Sequence, residues 1–361
     1  MSDPRRRKLV IVVGSGGVGK TTLAAALGLE SARSGRNALV MTFDPSLRLK
    51  DALGVDRVAA EEETEVAAGT AGTLHASLLD ARTTFDRLIE RYAPDPESRR
   101  RILENRFYDH LSGNLAGVLE YMASERLFEV SDSANYDRII LDTPPTRQAL
   151  DFLGAPDRIV SFLDSGALRI ALKPWFDPSG KLKATAKLGV IGRNVEGFFD
   201  RMVGLELLRD MAEFFQAFGP LYDGFRERAL DVQRLLRSSE TMFVLVSGPG
   251  RQRVADTLFF ARRLTESGYN LGPVITNRIH PNFDDPISRK ATVEGAAHDG
   301  RQLLAWLGQR DRQGVGELRS LLGDSHPLVE LPLLPDEPND LVSLGRLGGM
   351  ISERLDDALA R

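Results

Sequence analysis

Apolar positions along this 361-residue chain fall into short runs separated by segments of helical spacing. KLVIVV (Lys8–Val13) is continuous and β-branched, which predicts a buried strand. TLAAALGLESARSG follows a glycine-rich gap, with alanine and leucine at helical intervals and a stop at Gly35. NALVMTF (Asn37–Phe43) and LHASLLD (Leu74–Asp80) predict the next two strands. The acidic and small residues between them, Val58–Gly72, predict a surface loop. Helical periodicity then runs through ARTTFDRLIERYA, PDPESRRRILENRFYDHL and GNLAGVLEYMASERLFEV (Gly113–Val130). The last places Leu115, Val118, Leu119, Met122 and Leu127 on one side. YDRIILDTPPT (Tyr136–Thr146) predicts a strand and RQALDFLGAPDRIVSFLD a helix. TMFVLVSG (Thr241–Gly248), NLGPVITNRIHP (Asn270–Pro281) and HPLVELPLLPDEP (His326–Pro338) predict the later strands. Helical patterns alternate with them: RVADTLFFARRLTESG, a helix pair over 287–322, and a closing helix, NDLVSLGRLGGMISERLDDALA. Six or so strands alternating with helices predict an α/β fold, a doubly wound and mostly parallel sheet.

The pattern changes between Ser165 and Ser239, where no convincing strand occurs. Phe199, Met202, Val203, Leu207, Met211, Phe214, Phe215 and Phe218 recur there at mostly helical intervals. The expected organisation is one domain over 1–361. Its core sheet comes from 8–80, 136–163 and 241–361, and a helical insertion from 85–131 and 165–239. The Phe/Met stripe reads either as ordinary core or as an adaptable docking groove.

The gap after the first strand is GSGGVGKTT. It fits G-x-x-x-x-G-K-[ST], with Gly14, Gly19, Lys20 and Thr21 at the fixed positions. A strand before and a helix after are the context a phosphate-binding loop requires. Gly14, Ser15, Gly16, Gly17, Val18, Gly19, Lys20, Thr21 and Thr22 are therefore the candidate nucleotide-binding residues. Backbone N–H groups and the helix N-terminus attract phosphate. Lys20 can reach the β- and γ-phosphates, and the Thr21 hydroxyl can ligate Mg²⁺. The bland alternative is a glycine-rich turn. Asp44 ends the second strand, expected beside the P-loop strand, where it could orient or deprotonate a water and approach Mg²⁺; otherwise it is a turn aspartate before Pro45. Asp142 ends the RIILD run in the form of a Walker B segment and could hold Mg²⁺ through its water shell.

Composition narrows the chemistry. The chain has no cysteine, which excludes disulfides, thiolate zinc sites, iron–sulfur clusters and a metalloid site built from thiols. Five scattered histidines suit surface or packing roles. A net charge of −4 gives no general affinity for nucleic acid. RRRK (Arg5–Lys8) reads as a solvated tail. No run of 18 or more apolar residues exists and no secretory signal is visible, so a cytoplasmic location is expected.

Together, GSGGVGKTT, FDPSLRLKDALG, DTPPTRQALDFL, ITNRIHP and PLLPDEP resemble the arsenite-pump ATPase (ArsA-like) family. That family lies within the deviant-Walker-A group that includes MinD, ParA and the nitrogenase iron protein. It also includes the eukaryotic ATPase that delivers tail-anchored membrane proteins. The resemblance spans nearly the whole chain and implies a dimeric ATP switch using ATP and Mg²⁺. Asp44 would position the hydrolytic water, with Asp51 also in this first switch. Asp142 would sense the γ-phosphate, Asn277 would hydrogen-bond adenine, and Pro332 would lie in the nucleotide-facing turn. The insertion would correspond to the part that opens and closes a hydrophobic client groove. Three departures stand out. Ser15 replaces the family's first loop lysine, which reaches across the dimer; Arg48 or Lys50 could compensate, or a lysine-bearing paralogue could complete a heterodimer. Leu47 and Arg147-Gln148 depart from the family in the two switches. The zinc-clamping C-x-x-C is absent, so neither arsenite extrusion nor a zinc-bridged dimer is expected. Two alternatives accompany the ATPase reading: a catalytically weak regulatory subunit of a related ATPase, and a ParA-like positioning ATPase. The closing helix supports neither the membrane face nor the DNA face that the latter needs. Expected partners are a second copy or the paralogue, and a hydrophobic protein client. Transient association with a membrane stays open.

Overall fold

In a computed structural model the described residues are 3–43, 49, 53, 62–66, 69–114, 118–164, 210, 213–214, 217–281 and 300–360. They form two compact units. The first comprises 1–79, 130–150 and 235–361; the second comprises 80–129 and 151–234.

The first unit is built on an eight-stranded sheet: β1 (Leu9–Gly14), β2 (Ala38–Thr42), β3 (Thr64–Glu65), β4 (Leu74–Leu78), β5 (Arg138–Asp142), β6 (Thr241–Ser247), β7 (Leu271–Ile279) and β8 (Leu328–Pro332). Their spatial order is β3-β4-β2-β5-β1-β6-β7-β8. Every pair is parallel except β3 with β4. The expected α/β class and mostly parallel sheet are therefore observed. β1, β2, β5 and β6 are buried along their whole length, which is why they read as unbroken apolar runs rather than alternating ones. Val10, Val12, Val40, Ile140, Val244, Val246 and Ile275 share one apolar cluster with helices α1 (Lys20–Arg33) and α10 (Leu341–Leu359). Helices α8 (Val254–Glu266) and α9 (Gly300–Leu322) pack on each other, and both touch β7.

Helix α1 is held closely from two directions. A Cβ on Gly28 would lie 2.3 Å from Val40 Cγ2 in the sheet. One on Gly348 of α10 would lie 2.9 Å from the Ala26 carbonyl oxygen. Hydrogen atoms at these positions let α1 approach both neighbours more nearly than any larger residue allows.

Several expectations need correction here. The loop expected over Val58–Gly72 includes Thr64–Glu65, which pairs antiparallel with β4 at the sheet edge. The strand expected to reach Asp80 ends at Leu78, and Asp80 instead caps helix α2 (Ala81–Tyr92) by accepting from the Thr83 N–H at 2.7 Å. Within the basic cluster Arg5–Lys8, Arg6 is exposed as expected, but the backbone of the segment and its other side chains are docked rather than solvated. The buried Arg138 guanidinium donates to the carbonyls of Pro4, Arg5 and Arg7. Arg36 also donates to Arg5, Arg7 to Ser239, and Lys8 to Ser131. Burial, with Arg36 close by, lowers Arg138 to about 10, so it stays charged at neutral pH and keeps those carbonyls satisfied. Of the helix pair expected over 287–322, α9 is described; 282–299 lie outside the described residues.

The second unit is helical: α2 (Ala81–Tyr92), α3 (Pro96–Leu103), α4 (Arg106–Asn114), and most of α5 (Val118–Asp132), α6 (Thr146–Asp164) and α7 (Tyr222–Arg237). The helical run expected over Pro94–Leu111 breaks at Asn105. That side chain accepts from the N–H groups of Phe107 (2.8 Å) and Tyr108 (3.3 Å), starting a new helix. Phe85, Tyr108, Phe214, Phe218 and Phe225 form an aromatic core, with Phe214 and Phe218 stacked at 5.4 Å. The described part of the Phe/Met stripe is thus core. Phe199, Met202, Val203, Leu207, Met211 and Phe215 lie outside the described residues. Buried Glu125 accepts from Arg228 at 2.7 Å and from the Tyr121 hydroxyl at 3.1 Å. Burial pushes its carboxyl above the usual range against the pull of Arg228.

Candidate nucleotide-binding site

β1 delivers the chain to Gly14 and α1 resumes it at Lys20, so the glycine-rich loop spans the C-terminal edge of the central strand. The first helical bond runs from the Leu23 N–H to the Gly19 carbonyl at 2.9 Å. The N-terminal end of α1, with its partial positive charge, therefore faces the loop. Lys20 is nearly buried, and its Nζ donates to the Ser15 carbonyl at 3.0 Å, curling back over the loop.

The strand order brings one carboxylate to this point. β5 lies between β1 and β2, with Val12 and Thr42 both in register with Asp142. This corrects the expectation that β2 neighbours the P-loop strand. Asp142 is 2% exposed. Its Oδ2 accepts from the Thr21 hydroxyl at 2.6 Å and from the Thr42 hydroxyl at 3.0 Å. The Thr143 hydroxyl, donating to the Val12 carbonyl at 2.8 Å, ties the end of β5 to β1. A hydroxyl that gives its proton to Asp142 keeps its lone pairs for a cation. Thr21 and Asp142 are hard oxygen donors at the phosphate loop, which is the chemistry Mg²⁺ selects.

On the other side of β1, β7 does not end at Asn277 as expected but continues to Ile279. Asn277 Nδ2 donates to the Val18 carbonyl at 2.9 Å, and its Oδ1 accepts from the Arg278 N–H at 3.0 Å. Arg278 reaches the Gly17 carbonyl and Glu337, each at 3.4 Å. Pro332 closes β8 opposite Ile279 and is exposed. Separate hydrogen bonds thus link Lys20 with Ser15, Thr21 with Asp142, Asn277 with Val18 and Arg278 with Gly17 at the carboxyl edge of the sheet. Asp44, Leu47, Arg48, Lys50 and Asp51 lie outside the described residues, as does the side chain of Arg147.

Sequence reasoning missed Thr42, Arg278 and Glu337. Thr42 carried a signal: it closes an apolar run just as Asp142 does, and in a parallel sheet two such ends meet. Thr42→Val keeps the buried shape and deletes one donor to Asp142. The Mg²⁺ concentration for half-maximal ATP turnover is expected to rise about tenfold, as when a ligand-orienting partner is lost. A Mg²⁺ titration of phosphate release checks it, and an unchanged midpoint would exclude Thr42 from the site.

Comparison with known proteins supplies the family. A protein of Aquifex aeolicus named as an arsenical pump-driving ATPase is 25% identical over 353 residues, covering 95% of this chain and 78% of the relative. The "ATPase GET3" proteins of Mycosarcoma maydis and Malassezia globosa are each 24% identical, covering 93% and 95% of this chain and 87% and 91% of their own. The family model described as "Anion-transporting ATPase" matches residues 7–347, from the strand that feeds the loop to the middle of the closing helix. The chain belongs to that family and is an ATPase.

Proposed function

We propose that the protein is a Mg²⁺-dependent ATP switch that works as a dimer and couples turnover to a protein client. The observation that carries this reading is the meeting of the Thr21 and Thr42 hydroxyls on buried Asp142, beside Lys20 and the end of α1. Lys20 and the loop N–H groups bind and orient the β- and γ-phosphates. Thr21 would hold Mg²⁺ through its hydroxyl, and Asp142, which accepts from that hydroxyl, through water. Bound Mg²⁺ would neutralise charge developing on the phosphate oxygens. Asp44 positions the attacking water for in-line displacement, with Asp51 in the same switch. Asn277 keeps one amide hydrogen for adenine after its bond to Val18, and Pro332 borders the nucleotide.

Ser15 leaves the loop without the lysine expected by family resemblance. The dimer is therefore proposed to pair this chain with a lysine-bearing paralogue, unless Arg48 or Lys50 compensates. By the family resemblance, the switch serves a hydrophobic protein client in the cytoplasm, held by residues near 100–130 and 165–235. The lack of cysteine argues against a thiophilic metalloid as the transported anion. A second reading, favoured by Ser15, is a regulatory subunit with feeble turnover of its own.

Steady-state ATP hydrolysis across protein concentrations separates the readings. Under the heterodimer proposal, the chain alone binds ATP with turnover near background at every concentration, and adding the paralogue raises the rate by about 10³-fold, the scale of a restored trans cation. A robust rate that climbs with concentration for the chain alone would establish a competent homodimer and remove the need for the paralogue.

A further inference from the structure

The register between β7 and β8 slips between Thr276 and Ile279, so Asn277 and Arg278 form a bulge. Arg278 adopts φ +64°, one of two non-glycine residues with positive φ among those described. A bulky side chain in the left-handed region is disfavoured and persists only where its surroundings over-determine it. They do so here. On one side, Thr276 pairs with Ser247 of β6 and Glu330 of β8. On the other, the N–H and Nδ1 of His280 lie 3.2 and 2.6 Å from Oδ2 of fully buried Asp311 on α9.

The strained turn directs two successive side chains at two successive loop carbonyls. Asn277 donates to Val18 O and Arg278 to Gly17 O. A trans peptide is planar, with its N–H opposed to its C=O. Holding the Gly17 and Val18 oxygens toward β7 therefore turns the N–H groups of Val18 and Gly19 the other way, into the concavity where phosphate binds. Glu337, on the turn after β8, fixes the guanidinium from the solvent side.

We propose that Arg278 is a positioning residue of the phosphate loop, kept in a strained conformation because its guanidinium braces Gly17 so that the loop N–H groups face the nucleotide. This rests on the reading of Gly14–Thr22 as the nucleotide loop. The role is to set ground-state binding, so its loss appears in KM rather than in kcat.

Arg278→Gly removes the brace and relieves the backbone strain together, which separates function from stability. In the full chain, with its partner where turnover requires one, KM for MgATP is expected to rise about tenfold while kcat stays within about threefold. The melting temperature is expected to stay at or above the wild-type value. Arg278→Lys, which keeps the charge, is expected to fall between the two. A wild-type KM in Arg278→Gly overturns the proposal. So does a joint fall in affinity and melting temperature, which would make Arg278 merely structural, and so does a lysine variant no better than glycine. A wild-type enzyme whose turnover does not saturate with MgATP would overturn both this proposal and the loop assignment beneath it.

Discussion

Lys20→Ala is expected to lower ATP turnover by about 10³-fold or more and to leave the fold intact. Lys20 opens α1, and its ammonium already curls over the loop to the Ser15 carbonyl, 3.0 Å away. It is 7% exposed, so the charge sits where water screens it weakly. A preorganised cation there stabilises charge that grows on the transferring phosphoryl group without reorganisation. Deleting a single such donor in other enzymes costs about 10²–10³, and deleting a full charge at a phosphoryl group about 10³–10⁵. Alanine is the best helix former and suits the first turn, so the thermal unfolding curve is expected to overlay that of the wild type. Phosphate release under saturating MgATP, with the partner chain present where turnover requires one, beside a thermal melt, checks both halves. Turnover within tenfold of the wild type would remove Lys20 from the chemistry.

Gly14→Ala is expected to cost upwards of about 4 kcal/mol, a large share of the 5–15 kcal/mol that holds a typical domain together. Gly14 has φ +152°, a backbone conformation that residues with a Cβ rarely adopt. A Cβ there would lie 2.1 Å from the Val246 carbonyl oxygen and 3.0 Å from its carbon. The obstacle is backbone rather than a movable side chain. Val246 is paired with Gly14 on one side and Ile275 on the other, so it cannot retreat without disturbing two ladders of the central sheet. Denaturant unfolding of the variant should show a midpoint lowered by more than about 1 M urea, given slopes of about 1–3 kcal/mol per molar. A midpoint equal to the wild type would mean that β1 and β6 tolerate a wider spacing than their pairing implies.

What was legible in the sequence followed from periodicity and local chemistry. β1, β2, β5 and β6 announced themselves because strands buried on both faces need apolar residues throughout. The phosphate loop was legible because its glycines and Lys20 have fixed spacing between a strand and a helix. What stayed hidden depended on long-range pairing. That β5 lies between β1 and β2 is a matter of crossover order, which no local pattern encodes, so β2 is expected one strand too close to β1 and Thr42 is overlooked. The N-terminal basic run looked solvated because its carbonyls, rather than its side chains, meet buried Arg138 more than 130 residues away. Arg278 passed unseen because a bulge shows only against the partner strand. Asn105 could have been found: an asparagine inside a helical pattern favours a helix start over a helix interior.

The tight seating of α1, against Val40 through Gly28 and against α10 through Gly348, has a mechanical consequence. A helix wedged on two sides, against side chains of the sheet at Gly28 and with its own backbone against Gly348, can neither slide nor tilt without a clash. It is the anvil of the machine, and whatever a nucleotide sets in motion must happen around it. Under the proposed switch, motion set off at the phosphates would be carried by the chain around α1 while the helix itself stays put.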